Sequence, residues 1–393
     1  MKSNKIVAKV RLPKQKQIIY SNKVLTLFFI HFRLMKDRLV VKIGSSLLTR
    51  KDGTLDVTQM SAFVDQIAEL HKKGVKVILV SSGAVAAGRT ELKSKPKLDM
   101  ISSRQLYSAI GQAKLINRYY DLFHQHQITC GQVLTTKEDF ATRRHYLNQR
   151  NCINTMLENN VIPIVNENDT TSVNELMFTD NDELSGLVAA MINSKYLIIL
   201  SNIDGIYNGN PQDPESKVIR KIDIRKDKIE DFIQSTKSDT GRGGMQTKYN
   251  MARKAAEEGI EVIIANGRKT NILSNILTDR ENVICTRFIP SPKDISSVKK
   301  WIAHSEGFTK GEIHINKGAK EALFSNQAVS LLPVGIIAIT GNFEIDDIVR
   351  IIDEDGNQIG VGKTSYGSEK AKEIIGKNNK RPIIHYDYLY IEH

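Results

Sequence analysis

Leu39-Val40-Val41-Lys42-Ile43-Gly44-Ser45-Ser46-Leu47-Leu48 is the stretch from which the fold of this chain can be read. Leu39 to Ile43 is a short apolar run with one lysine in it, which predicts a buried strand. Gly44 and the two serines then turn the chain, leaving backbone N–H groups pointing outward ahead of a helix. A strand, a small-residue turn and a nearby lysine suit a phosphate group. A glycine after a strand is equally read as a plain turn, so the stretch needs partners elsewhere in the sequence.

Those partners lie on a repeating pattern. Val57, Met60, Phe63, Val64, Ile67 and Leu70 recur at three- and four-residue spacing, an amphipathic helix closed by Gly74. Further strands are predicted over 75–80, 128–134, 161–165, 196–200 and 261–265, and further helices over 84–88, 102–125, 143–159, 182–193 and 246–258. Strands alternating with helices imply βαβ units and an α/β fold, a three-layer αβα sandwich around a mostly parallel sheet. Polar or glycine-rich turns follow four of the strands: Gly44-Ser45-Ser46, Ser82-Gly83, Asn166 to Asp169, and Ser201-Asn202. In open α/β sheets ligands bind beyond those carboxyl ends, so an active site is expected along that edge.

Near residue 286 the alternation stops. Residues 287–307, with Pro290, Pro292 and a lysine-rich run, read as a linker with a short helix. Beyond it come short strands with turn signals: Gly311 to Ile315, Gly341-Asn342-Phe343, and Ile348 to Ile352 followed by Asp355-Gly356. They predict a small, separate β-rich domain over 308–393. With 393 residues, two or three domains have room for real cores, and 37–286 is the larger of them.

Composition excludes several classes. An apolar fraction of 40% with 25% charged residues is that of a soluble globular protein. The net charge of +12 would suggest nucleic acid, but residues 1–36 carry nine cations and no acid, leaving +3 for the rest. No basic-aromatic interleaving accompanies it, so nucleic acid is not an expected partner. Residues 1–36 read as a basic, disordered N-terminal extension, with the functional chain starting near Met35. Its apolar run, Val24 to Ile30, is too short to span a bilayer, and no membrane association is expected. Cys130, Cys152 and Cys285 lie far apart, which argues for a reducing compartment, a cytoplasmic location and no zinc site.

Two further motifs carry chemistry. Thr240-Gly241-Arg242-Gly243-Gly244-Met245-Gln246-Thr247-Lys248 places three glycines before a helix and a lysine on its first turn. Such a loop permits close backbone approach, as a phosphate cradle needs, although a surface loop has the same composition. Asp180-Asn181-Asp182 stands at a predicted helix start; Asp180 or Asn181 is expected to cap it, and three polar residues in succession exceed what a cap requires. Phosphoryl transfer needs positioning and positive charge more than covalent help. Lys42 and Lys248 could clamp the transferred group while a carboxylate between them fixes their ammonium groups. A kinase using a metal nucleotide without the common Walker A loop is the resulting expectation. Gly360-Val361-Gly362-Lys363-Thr364 imitates the end of that loop, but Asn357 stands where its first glycine belongs.

Together the pieces Val40 to Ser46, Ser81 to Gly88, Val165 to Asp169, Asp180 to Asp182 and Gly243 to Lys248 resemble the amino acid kinase family. Gly311-Glu312-Ile313 and Gly341-Asn342-Phe343 are similar to a PUA domain, and the resemblance runs from about Met35 to the C-terminus. It implies the amino acid kinase fold, and transfer of the ATP γ-phosphoryl group to the side-chain carboxylate of L-glutamate at the start of proline synthesis. It gives Lys42 and Lys248 as catalytic, phosphate-binding lysines and Asp182 as the acid that orients them. Ser82, Asp169 and Asn181 resemble the glutamate-binding residues. Gly44, Ser201, Asn202, Arg242, Gly243, Gly244, Met245, Gln246 and Thr247 fall with the two lysines around ATP. Mg2+ would be held largely by phosphates and water. The resemblance also implies proline as a feedback inhibitor, a homo-oligomer, and functional coupling to glutamate-5-semialdehyde dehydrogenase. Thr179, Arg242 and Asn202 depart from the common pattern, as does Asp346, which occupies a place usually held by glycine in a positive-φ turn. Relatives acting on N-acetylglutamate, aspartate or carbamate are the nearest competing readings. An RNA-binding role for the C-terminal domain is the more distant one.

Overall fold

The computed structural model describes residues 37–92, 97–141, 143–171, 178, 180–226, 245–292, 302, 309–325, 329–378 and 380–391. The N-terminal extension, Thr179, the glycines of the 240–244 loop with Arg242, and most of the linker lie outside the described residues.

The opening stretch forms β1 (Arg38–Ile43) and a single helical turn, α1 (Ser45–Leu48). It is followed by α2 (Val57–Lys72), β2 (Lys76–Val80), α3 (Ala84–Arg89), α4 (Met100–Gln125), β3 (Cys130–Thr135), α5 (Arg143–Glu158) and β4 (Ile162–Glu167). Then come α6 (Asn181–Met191), β5 (Tyr196–Ser201), β6 (Lys221–Ile222), α7 (Met245–Glu257), β7 (Glu261–Asn266), α8 (Ile272–Thr278) and β8 (Cys285–Phe288). The eight strands form one sheet in the order β3-β4-β2-β1-β5-β7-β8-β6, parallel except where β7 meets β8.

β1 lies in the middle of this sheet, which is why almost all of it is apolar. Its register sets Lys42 between Val80 of β2 and Ile199 of β5. Because neighbouring side chains point to opposite faces, Leu39, Val41 and Ile43 enter one hydrophobic cluster and Val40 enters the other. The first holds α2 and α4 against the sheet, the second α6 and α7, giving the three layers.

The sequence pattern missed α8 and β8. β8 continues the large sheet through residue 288, beyond the end of the alternation at 286; it runs antiparallel to β7 and has only four residues, Cys285-Thr286-Arg287-Phe288, too few for a clear strand period.

The second sheet, β10-β9-β11-β12-β13, comprises β9 (Gly311–Ile315), β10 (Ile336–Gly341), β11 (Ile348–Ile352), β12 (Gln358–Thr364) and β13 (Ile384–Ile391). Asn342-Phe343 follows β10 rather than forming a strand of its own: Gly341 takes φ +82° and turns the chain there. The Walker-like run is β12, paired on both sides, and opens no helix. Asp346 has φ +74°, the left-handed conformation expected of a glycine position.

Candidate active site

Four strand ends build the site. At the end of β1, Gly44 donates its N–H to the Leu200 carbonyl (3.2 Å) and so ties the turn to β5. That amide is therefore not available to a ligand. The N–H groups of Ser45 and Ser46, in the first turn of α1, have no acceptor within the helix. A Cβ on Gly44 would stand 3.3 Å from the Leu200 oxygen and 3.8 Å from Lys42 Nζ. Glycine thus keeps space open beside the lysine's ammonium group.

Lys42 is 6% exposed and its Nζ lies 2.5 Å from Asp182 Oδ1. Lys248, on the first turn of α7, places its Nζ 2.8 Å from Asp182 Oδ2. One carboxylate thus holds two ammonium groups that arise about two hundred residues apart in the chain. Asp182 is 1% exposed. Burial would push its carboxyl up, but Lys42 and Lys248 outweigh it and hold the group down at about 2.

Asp182 is aimed by its helix start. Asp180 is the cap, its Oδ1 accepting from the N–H groups of Asp182 (2.9 Å) and Glu183 (3.0 Å). Burial, then the nearby Asp182, push the Asp180 carboxyl up. Its other oxygen accepts from the Thr247 hydroxyl at 3.1 Å, joining α6 to the first turn of α7. One turn further along each helix, Gly186 leaves room for Met251: a Cβ there would lie 2.8 Å from its sulfur. Close approach of the two helices at that point is what allows Lys248 to reach Asp182.

Asn181 faces the other side. Its Nδ2 donates to the Ser81 carbonyl (2.9 Å), Ser82 Oγ (2.9 Å) and Asn166 Oδ1 (3.1 Å), drawing together the ends of β2 and β4. Asp169 is 6% exposed and accepts from Ser108 Oγ at 3.2 Å and from Arg104 Nε. Ser201 is buried at the end of β5 and Asn202 exposed after it, 3.3 Å from the Ser201 hydroxyl. Met245 packs on the second cluster, whereas Gln246 is exposed and bonds Asn250.

Arg104 and Ser108 escaped the sequence reading, and Asn166 and Glu167, inside the polar turn it marked, were given no role of their own. Arg104, Ser108 and Gln112 recur every fourth position on α4, a polar stripe that could have marked a face turned toward a charged partner. Glu167 is only 3% exposed; burial, then Asp169, push its carboxyl up to about 7.

A mostly parallel sheet covered on both faces, with two lysines gathered on one buried acid beyond its strand ends, has the layout of a phosphoryl-transfer enzyme. The chain belongs to the amino acid kinase family, which it matches over residues 37–266, and residues 311–386 match the PUA domain. Among its relatives is the glutamate 5-kinase of Bacteroides thetaiotaomicron, 66% identical over 355 residues, covering 90% of this chain and 98% of that protein. The glutamate 5-kinase of Chlorobaculum tepidum is 46% identical over 359 residues, covering 90% of this chain and 97% of that protein. That of Methylococcus capsulatus is 37% identical over 366 residues, with the same coverage of both.

Proposed function

We propose that this chain transfers the γ-phosphoryl group of ATP to the side-chain carboxylate of L-glutamate, giving L-glutamyl 5-phosphate, the first step of proline biosynthesis. The observation that carries this reading is the pair of ammonium groups, Lys42 and Lys248, held on the single carboxylate of Asp182. Family membership and the glutamate 5-kinase relatives support it.

In this reading a side-chain oxygen of glutamate attacks the γ-phosphorus as the bond to the ADP oxygen breaks. Charge spreads over the three equatorial oxygens of the transferred group. Lys42 approaches it from β1 and Lys248 from α7, already oriented, so little reorganisation is needed when the charge develops. Asp182 keeps both ammonium groups fixed and is itself too fully paired to act as a base. The space that Gly44 leaves beside Lys42 Nζ suits a phosphate oxygen. The turn Ser201-Asn202 and the start of α7, Met245 to Thr247, are assigned to the nucleotide, and the family resemblance assigns Arg242, Gly243 and Gly244 to it as well.

For the acceptor, Ser82, Asn181 and Asp169 form the binding group, with Asp169 receiving the α-ammonium. The Asp182 carboxylate is committed to two lysines. The family resemblance assigns magnesium to phosphates and water, where it would neutralise phosphate charge. The same reading takes proline as feedback inhibitor, a homo-oligomer as the assembly, and glutamate-5-semialdehyde dehydrogenase as functional partner, all supported by the family resemblance. It assigns phosphoryl transfer to the large sheet and its helices, and leaves the PUA domain, from 308 onward, outside the reaction.

A hydroxylamine-trapping assay offering glutamate, N-acetylglutamate, aspartate and carbamate separately tests the reading. Hydroxamate with glutamate is expected. Turnover of another acid with none on glutamate would overturn it.

A further inference from the structure

Four residues of α4 grip the turn that ends β4. Arg104 contributes Nε to Asp169 Oδ1 and NH2 to Glu167 Oε2, the latter at 2.6 Å. Gln105 Nε2 donates to the Thr170 carbonyl (3.2 Å), Ser108 Oγ to Asp169 Oδ2 (3.2 Å), and Gln112 Nε2 to the Glu167 carbonyl (3.1 Å). The second oxygen of Glu167 is also occupied: Oε1 accepts from the Phe178 N–H at 3.0 Å. Phe178 is buried, its ring edge-on to Phe140 at 5.9 Å, and it stands two residues before the Asp180 cap. A single guanidinium therefore connects the Asp169 carboxylate, through Glu167, to the chain that delivers Asn181 and Asp182.

Arg104 is the only described cation in contact with these two carboxylates. Without it, two buried acids two residues apart would face each other across a site of low dielectric and repel. The planar guanidinium meets both at once through separate N–H groups, which the single point charge of a lysine cannot reproduce.

We propose that Arg104 is a positioning residue for the acceptor amino acid, holding the Asp169 carboxylate, with Glu167 and the Phe178 amide behind it, in the arrangement that binds that acid. This rests on the acceptor site assigned above. The effect belongs to binding of the acceptor, because Arg104 pairs with Asp169 and Glu167, whereas Lys42 and Lys248 pair with Asp182.

The test uses the full chain and whichever acid the wild-type enzyme phosphorylates in the four-acid panel, so failure of glutamate as substrate and failure of this proposal give different results. Arg104→Gln should raise KM for that acid by about tenfold or more, with KM for ATP and kcat within about threefold of wild type. Arg104→Lys should recover part of the loss, and Ser108→Ala, which frees one Asp169 oxygen, should raise the same KM by a smaller factor. An acceptor KM unchanged in Arg104→Gln, or a fall in kcat with KM unaltered, would overturn the proposal. Should Arg104→Gln not fold, unchanged acceptor KM in both Arg104→Lys and Ser108→Ala would overturn it equally.

Discussion

Lys42 sits in the central strand of a sheet, 6% exposed, where a charge is costly unless paired. Its pairing with Asp182 is not a stabilising decoration. A well-packed apolar side chain could fill that place more cheaply, which fits the part given to Lys42 in the proposed reaction. Removing Lys42 or Lys248 should act on the transferred group rather than on acceptor binding. We expect Lys42→Ala and Lys248→Ala each to lower kcat by about 10²–10³ with the dissociation constant for glutamate nearly unchanged. Steady-state kinetics alongside equilibrium binding of glutamate would check this, and unchanged kcat in either would remove that lysine from the mechanism. Glu167 offers a pH test. Arg104 of α4, Asp169 of the β4 turn, Glu183 of α6 and the Phe178 amide all face it, and Lys137 sits 3.4 Å from Glu183. Its carboxyl, raised to about 7 chiefly by burial, takes up a proton as the pH falls through neutrality. The site then loses one negative charge and holds an ammonium-bearing acceptor less well. Thus kcat/KM for the acceptor should rise with pH on a limb centred near 7, between about pH 5.5 and 8.5, and Glu167→Gln should abolish that limb.

Among the elements, two helix crossings decide the geometry, and both depend on glycines. Gly186 admits Met251 and brings α7 onto α6, as described above. α3 and α4 cross more tightly: a Cβ on Gly88 would lie 1.8 Å from the Tyr107 carbonyl oxygen, and one on Gly111 1.8 Å from that of Ala84. Those contacts are with backbone, which cannot step aside as a flexible side chain can. α3 begins directly after Ser82-Gly83, and α4 carries the Arg104 stripe, so this crossing fixes two sides of the proposed acceptor site. Gly111→Ala should therefore destabilise the protein by about 3 kcal/mol or more, seen as a lower urea midpoint at unchanged slope. A stability within about 0.5 kcal/mol of wild type would mean the helices can separate without cost.

At the scale of the whole molecule, the two sheets are not independent. The cluster that covers one face of the large sheet includes Ile348 of β11 and Val361 of β12, together with Ile302 from the connecting segment. Ile348→Ala should cost about 2–5 kcal/mol, and the chain should unfold in one transition. Fluorescence of Trp301, the single tryptophan and the neighbour of Ile302 in sequence, should coincide with far-ultraviolet circular dichroism. Two separated transitions would show the sheets to be autonomous. Much of this architecture was legible in the chain itself. The apolar run around Lys42, the helix periods and the polar turns after strands determined an α/β fold with polar turns at its strand ends, because burial and backbone geometry act over a few residues and leave local patterns. The Lys248 loop and the Asp180–Asp182 run were legible for the same reason. What the tertiary structure decided was the company these residues keep. Gly44 gives its amide to Leu200, and Asp182 joins Lys42 to Lys248. Arg104 holds Glu167 and Asp169 from a helix more than sixty residues away in sequence. Pairings of that kind depend on strand order and helix crossing, and long-range contacts leave no periodic mark on the chain that makes them.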